Sequence, residues 1–405
     1  MTSHLSARMA AMAEAGTVIS VHRSSGPRSG DVINLSSGDP ALPTPPAIVE
    51  AAQKRLGEGN LKYTDVHGSP QLRDAIREKF ETENGLAYAD DQIAVSAGSK
   101  QVMVNALLAT LDPGDEVVIP APYFAPYPRM VALAGGVPRV VQAAATNGFK
   151  LTPSQILEAI GTRTKWIIIN SPSNPAGAIY TGDELASISS AVLAAHPHVR
   201  FMSDEVYEHY CYDGHSASSI ARQSPEVFER TLTVNGVSKT FSMTGWRIGY
   251  AAGPAELVAA MRTIQHSTTT CPPELSQVAA TAALGLDRSV VDRRNAHAAA
   301  LLNLAAGELD EIPELQYTRP AGSIYLYIDC KRLLGRVTPD GDPMVADADL
   351  SAFLRDQFGV LLLPGGYYGT SPYLRLTFVI DEGDLTEGLK RLRAGVEALT
   401  SPGDR

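Results

Sequence analysis

Short apolar runs alternate with longer stretches of helical periodicity along most of this chain, the pattern of a mainly parallel sheet whose strands are joined by crossover helices. Five runs stand out. Gln92-Ile-Ala-Val-Ser96 leads into Ala97-Gly98-Ser99-Lys100-Gln101 and then an apolar helix, and Glu116-Val-Val-Ile-Pro120 leads into Ala121-Pro122-Tyr123-Phe124. Trp166-Ile-Ile-Ile169 leads into Asn170-Ser-Pro-Ser-Asn174-Pro, Val199-Arg-Phe-Met-Ser203 into Asp204-Glu-Val-Tyr207, and Thr231-Leu-Thr-Val234 into Asn-Gly-Val-Ser238-Lys239. The pattern predicts an α/β fold. Further on, residues 279–303 read as one or two long helices with a break near Gly285-Leu-Asp-Arg.

In open α/β sheets ligands bind beyond the carboxyl ends of the strands, and the unusual polar residues here all sit at that edge. Lys239 is the most telling of them. An ammonium at the end of a buried strand is costly unless it is paired, neutralised or used chemically, and a Schiff base with an aldehyde cofactor is one such use. A lone lysine in a surface loop is the plainer reading, and Lys239 is set apart from it by the other strand ends. Gly98-Ser99 opening a helix suits an anion, although most such starts are only caps. Asp204 reads either as a helix N-cap or as a functional carboxylate, and Asn174 between prolines either as a turn residue or as a ligand contact.

Composition narrows the function classes. With 405 residues, 44% hydrophobic and 19% charged, the chain can bury a large core and form two or three domains. A net charge of -10 without any basic run argues against a nucleic-acid partner. No secretory signal and no apolar stretch of membrane-spanning length is visible, so a cytoplasmic protein is expected. Cys211, Cys271 and Cys330 lie far apart and have no metal-ligand or redox spacing, so no metal site is expected and the thiols read as core or near-surface residues.

Over nearly its whole length the chain resembles the fold type I pyridoxal-phosphate aminotransferases, in particular the bacterial aspartate/prephenate branch of class I. The matching segments are Gly38-Asp-Pro-Ala-Leu-Pro-Thr-Pro45, Tyr63-Thr-Asp-Val-His-Gly68, Ser96-Ala-Gly-Ser-Lys-Gln101, Asn170-Ser-Pro-Ser-Asn-Pro-Ala-Gly177, Ser203-Asp-Glu-Val-Tyr207, Val234-Asn-Gly-Val-Ser-Lys-Thr240, Gly245-Trp-Arg-Ile-Gly-Tyr250 and Tyr373-Leu-Arg-Leu376. The resemblance implies a seven-stranded-type sheet in a large domain at residues 45–286. It also implies a smaller α+β domain at residues 287–405, with residues 1–44 contributing to that domain and to a lid.

It further implies pyridoxal 5′-phosphate as cofactor and a role for each matched residue. Lys239 would form the Schiff base and move the proton. Asp204 would pair with the pyridine nitrogen so that the ring can accept electrons. Tyr207 and Asn174 would bond the ring oxygen, and Phe124, rather than Tyr123, would stack on the ring. The phosphate would lie on Gly98, Ser99 and Lys100, with Ser238 and Arg247 supplying hydroxyl and guanidinium. Tyr63 would reach the phosphate of a neighbouring subunit, making the enzyme a homodimer with shared sites. Arg375 would clamp the substrate α-carboxylate, assisted by Gly38 and Asn174. Lys100 and Thr17 would meet the distal carboxylate of an acidic substrate.

The expected reaction is ping-pong transfer of an amino group between an acidic amino acid of aspartate or glutamate type and a 2-oxo acid. Some residues depart from the pattern. Ala15 stands where the family commonly has serine, and residues 22–30 are rich in Gly and Pro and oppose the usual helix, so a loop lid is expected. Pro40-Ala-Leu-Pro43 lacks the family's acidic pair, and Leu361-Leu-Leu-Pro-Gly-Gly-Tyr-Tyr368 is unusually aromatic; both are expected to reshape the substrate walls, near Leu42 and Tyr367. These departures keep a second enzyme reading open: β- or γ-elimination, replacement, oxidation or carbon–carbon bond formation on the same scaffold. A regulator that binds the cofactor without catalysis is the third reading, and it would need a DNA-binding extension.

Overall fold

A computed structural model describes residue 4, residues 6–14 and residues 32–401. Thr17, Ala15 and the expected loop at residues 22–30 lie outside the described residues.

The main sheet has seven strands: β1 (Ile93–Ser96), β2 (Glu116–Ala121), β3 (Val137–Gln142), β4 (Thr164–Asn170), β5 (Arg200–Asp204), β6 (Thr231–Gly236) and β7 (Gly249–Ala252). Their spatial order is β1-β7-β6-β5-β4-β2-β3, and β7 alone runs antiparallel to its neighbours. The five strands expected from their apolar runs are all present. β3 and β7 were not among them, for opposite reasons. β3 is a partly exposed edge strand interrupted by Pro138 and Arg139, whereas β7 is Gly-Tyr-Ala-Ala, short and without β-branched residues.

Helices cover both faces of this sheet. On β4, Trp166 and Ile168 pack with Met103 and Leu107 of one core layer, while Ile167 and Ile169 pack with Leu185, Ile188 and Val192 of the other. That alternation explains the unbroken apolar run, because both faces of a parallel strand are dry. Each fully buried isoleucine contributes about 1.5–3 kcal/mol relative to exposure.

The helices that matter for the site are α1 (Ala7–Glu14), α2 (Pro46–Gly57), α3 (Pro70–Asn84), α4 (Ser99–Thr110), α5 (Tyr127–Leu133), α6 (Glu274–Leu284) and α7 (Arg288–Asp310). The break anticipated at Gly285 falls between α6 and α7, where Asp287 caps α7 by accepting from the Ser289 N–H. α2 and α3 pack against α6, and α1 packs against α5.

A second sheet of four strands comprises β8 (Gln316–Tyr317), β9 (Tyr325–Asp329), β10 (Leu363–Pro364) and β11 (Tyr373–Thr377), in the order β10-β11-β9-β8. The N-terminal part of the chain joins this region, because Ile33–Asn34 pairs in parallel with Val360–Leu361. Leu35 N–H and Thr377 N–H extend the link through Leu361 O and Leu35 O. Residues 36–39 are thereby laid between the two sheets.

Candidate active site

Register sets the site. Asp204, the last residue of β5, pairs with Asn170, the last of β4, and with Val234 of β6, so two strands end at one level while β6 runs on to Gly236. Asn170 ties the level together: its side-chain amide donates to Asp204 O at 3.0 Å, and its Oδ1 accepts from the Asn174 N–H at 2.8 Å. No helix follows Asp204, so it is not an N-cap; Oδ1 accepts only from the Val206 N–H two residues on. Its Oδ2 accepts from the Tyr127 hydroxyl. Burial pushes the Asp204 carboxyl up to about 6, against the opposing pull of the Tyr127 and Val206 hydrogen bonds and the charge of Lys239.

Lys239 follows β6 and is half-buried, with Nζ donating to Gly38 O at 2.7 Å. The Tyr207 ring lies 6.0 Å from Nζ, and the Tyr210 hydroxyl holds Lys239 O at 3.0 Å. Arg375 arrives from β11 of the second sheet. Its Nη1 donates to Asn174 Oδ1 at 3.1 Å and its Nη2 to Ser36 O, while Nε is buried with no hydrogen-bond partner. The guanidinium is sandwiched by the Tyr325 and Tyr368 rings, 4.2 and 5.0 Å away.

The first turn of α4 forms a cradle. Gly98 has φ +94°, and a Cβ there would stand 2.3 Å from Arg247 Nη2. A Cβ on Gly249 of β7 would meet the Ser99 N at 1.9 Å, so the sheet accepts the helix start only over glycine. No side chain caps α4, which leaves its leading amides and the Arg247 guanidinium together at one anion-attracting corner. Arg247 meanwhile donates to Thr244 O at 2.9 Å and Ala97 O at 3.2 Å. Ser238, just before Lys239, accepts at its carbonyl from the Met243 N–H at 3.0 Å.

One cavity of about 760 Å³ is lined by Gly38, Ser99, Lys100, Phe124, Asn174, Asp204, Tyr207, Lys239 and Arg375. Phe124 faces it, whereas Tyr123 is turned against Gly369 and Tyr368. The Lys100 ammonium lies 5.7 Å from the Phe124 ring and is held below the ordinary lysine range by desolvation, then by the charges of Arg247 and Lys239. Tyr63 is outside the cavity and 87% exposed in the single chain. Thr17 lies outside the described residues.

The expected wall residues are a correction. Leu42 packs on Tyr210 and Arg294, whose guanidinium donates to Pro43 O, and Tyr367 packs beside the aromatic cluster of Tyr327 and Tyr368; neither lines the cavity. Leu363 of the Leu361–Tyr368 stretch does line it, as do Met12, Met103, Met130 and Leu133.

Sequence reasoning also missed Tyr127 and Tyr325. Tyr325 lies on β9, diagonal to Arg375 in an antiparallel register that pairs Arg375 with Tyr327, which places ring and guanidinium on one face. Its hydroxyl is 2.9 Å from that of Tyr207. Tyr127 opens α5 three residues after Phe124, and the two rings meet edge-on at 5.4 Å.

The family model for aminotransferase class I and II matches residues 30–392. The chain is 44% identical over 377 residues to an aspartate/prephenate aminotransferase of Cereibacter sphaeroides, covering 91% of this chain and 92% of that one. The crystal structure of the aspartate aminotransferase from Rhizobium meliloti superposes with a TM-score of 0.88 at 41% identity, covering 91% and 92% of the two chains. The aspartate aminotransferase of Thermus thermophilus, solved with maleate, superposes with a TM-score of 0.84 at 34% identity over 96% and 97%.

Proposed function

The chain belongs to the class I and II aminotransferases, and we propose that it is an aspartate-type transaminase, moving an amino group between an acidic amino acid and a 2-oxo acid with pyridoxal 5′-phosphate as cofactor. The observation that carries this reading is the convergence of a lysine amine, a buried carboxylate and a buried arginine, from different parts of the fold, on one cavity. The elimination, oxidation and carbon–carbon alternatives are not favoured, since the relatives are named as aminotransferases.

The residues present fit the cofactor. Asp204 is a buried carboxylate with no ion pair among the described residues, as a partner for a cationic ring nitrogen should be. The uncapped α4 start with Gly98 and Arg247 suits a phosphate, with Ser99 and Lys100 in the same turn, and the Ser238 hydroxyl is assigned to it as well. When bound, pyridoxal phosphate supplies an aldehyde that takes up the amino group and a ring that withdraws electrons from the substrate carbon. Lys239 supplies the amine that anchors the group, then takes the proton from Cα of the amino donor and, in the second half-reaction, supplies one to Cα of the 2-oxo acid acceptor. Arg375, already aligned by Asn174 and Ser36, binds the α-carboxylate, with Gly38 beside it. Tyr207 and Asn174 hold the ring oxygen, Phe124 covers the ring, and Lys100 with Thr17 meets a distal carboxylate.

The break between α6 and α7 is taken as the boundary between a large domain at 45–286 and a small one at 287–405, with residues 1–44 contributing to the small domain. Tyr63 is assigned to a neighbouring subunit's phosphate, which makes the enzyme a homodimer. Among the described residues no helix is long and apolar enough to cross a membrane, and the cytoplasm is the proposed location.

The test is a donor and acceptor screen on the cofactor-loaded protein. Aspartate with 2-oxoglutarate should yield oxaloacetate and glutamate in equal amounts; release of ammonia instead would overturn the transferase reading. Lys239→Ala should lose both turnover and the visible absorbance of the lysine-bound cofactor.

A further inference from the structure

Beyond Lys100, Lys239 and Arg375, which already have roles, the cavity holds a fourth cation on its wall. Arg129, on α5, lines it together with Met12, Met103, Met130 and Leu133, and its Nε is buried with no hydrogen-bond partner. A guanidinium is always charged and carries five donors, so an unsatisfied buried N–H is a cost that a ligand can remove. Elsewhere the buried arginine Arg73 is matched to Asp90 and Asp65. Arg129 has no such match among the described residues: the two carboxylates that line the cavity, Asp39 and Asp204, hydrogen-bond to Ser37 and Tyr127.

Lys100 and Arg129 line the cavity from different helices, α4 and α5. Lys100 sits beside Ser99 in the first turn of α4. Arg129 instead belongs to the end of the cavity formed by α5, against which α1 packs and to which α1 contributes Met12. The same cavity is lined by Met12, Met103, Met130 and Leu133, and methionines adapt to ligands of different shape.

We propose that Arg129 is a specificity-determining residue, a remote anchor for the distal carboxylate of acidic amino and 2-oxo acids whose apolar spacer carries that group past Lys100. The inference deepens the transaminase reading and rests on it. Aspartate would stop at Lys100, whereas acids with two or three additional methylenes would reach Arg129 and pair with its planar fork.

The test uses the cofactor-loaded enzyme and the variants Arg129→Met, Arg129→Lys and Lys100→Ala. Amino transfer is measured with aspartate, glutamate, 2-aminoadipate and norleucine, and calorimetry gives Kd for succinate, glutarate, adipate and pimelate. Arg129→Met should lose at least tenfold more in kcat/KM for 2-aminoadipate, and in affinity for adipate, than it loses for aspartate and succinate. Arg129→Lys should keep most of both, and Lys100→Ala should show the opposite length profile. A loss uniform along the series, or none, overturns the assignment. If Arg129→Met does not fold, Arg129→Gln replaces it, with the melting temperature recorded beside each Kd. Should the wild type transfer no amino group from any acid, the proposed activity falls, while the dicarboxylate affinities still decide the role of Arg129.

Discussion

A carboxylate such as Asp204 works against the stability of its own fold. Its folded pKa of about 6 lies above the ordinary aspartate value, so the folded chain binds the extra proton between the two. Stability from this group is therefore greatest below about pH 4 and falls as pH rises through about 6, by on the order of 2–3 kcal/mol. Asp204→Asn removes the charge that must be buried. The cofactor-free variant should melt higher than the wild type at pH 7 and show a flatter pH profile, while amino transfer falls by about 10²–10³. A cofactor-free variant that melts lower at pH 7 would show that the carboxylate is not under this strain. At this scale the sequence was legible where a residue ends a strand or closely follows one, as Asp204 and Lys239 do. It was not legible for Tyr325, whose relation to Arg375 exists only once β9 and β11 are in register.

Among the elements, α3 is fastened to the segment after β5 by a buried ion pair. Lys79 and Glu208 are in direct contact, and Glu208 also accepts from Asn84 at 2.7 Å and from Asn235 at 2.6 Å. Burial alone would raise the Glu208 carboxyl, but Lys79 and His209 bring it down to about 2. Its contribution is present above the ordinary glutamate value and is lost as pH falls toward about 2. Lys79→Met leaves that carboxylate buried without its ammonium, with only His209 and the two asparagine amides beside it, and should cost about 3 kcal/mol in chemical denaturation, with much of the loss recovered in Lys79→Met/Glu208→Gln. A loss that is simply additive in the double variant would mean the two side chains act separately. Element type was readable wherever burial is two-sided, as in β4. The edge strand β3 escaped because it is half exposed and interrupted by Pro138 and Arg139, and the Gly-Ala strand β7 because its pairing with β1 depends on a neighbour far back in the chain and not on its own side chains.

For the molecule as a whole, the proposed dimer makes Tyr63 and Lys239 work in opposite subunits. Separately purified Lys239→Ala and Tyr63→Ala should each be weak, yet a re-equilibrated equal mixture should recover about a quarter of wild-type activity, because half the dimers then carry one intact site. An unchanged mixture would place Tyr63 in its own subunit's site or in none. The cofactor apparatus was readable because it sits at strand ends, whereas the substrate walls were misjudged, since Met12 and Arg129 come together only through the packing of α1 on α5. The segment from Ser36 to Gly38 carries one further consequence. Its two carbonyls hold the clamp arginine of one sheet and the reactive amine of the other. A carboxylate that displaces Ser36 from Arg375 loosens the same few residues that restrain Lys239. By linkage, whatever factor arrival at the arginine adds to release of the amine, freeing the amine must add to the arginine's affinity, so these three residues couple substrate capture to the start of chemistry.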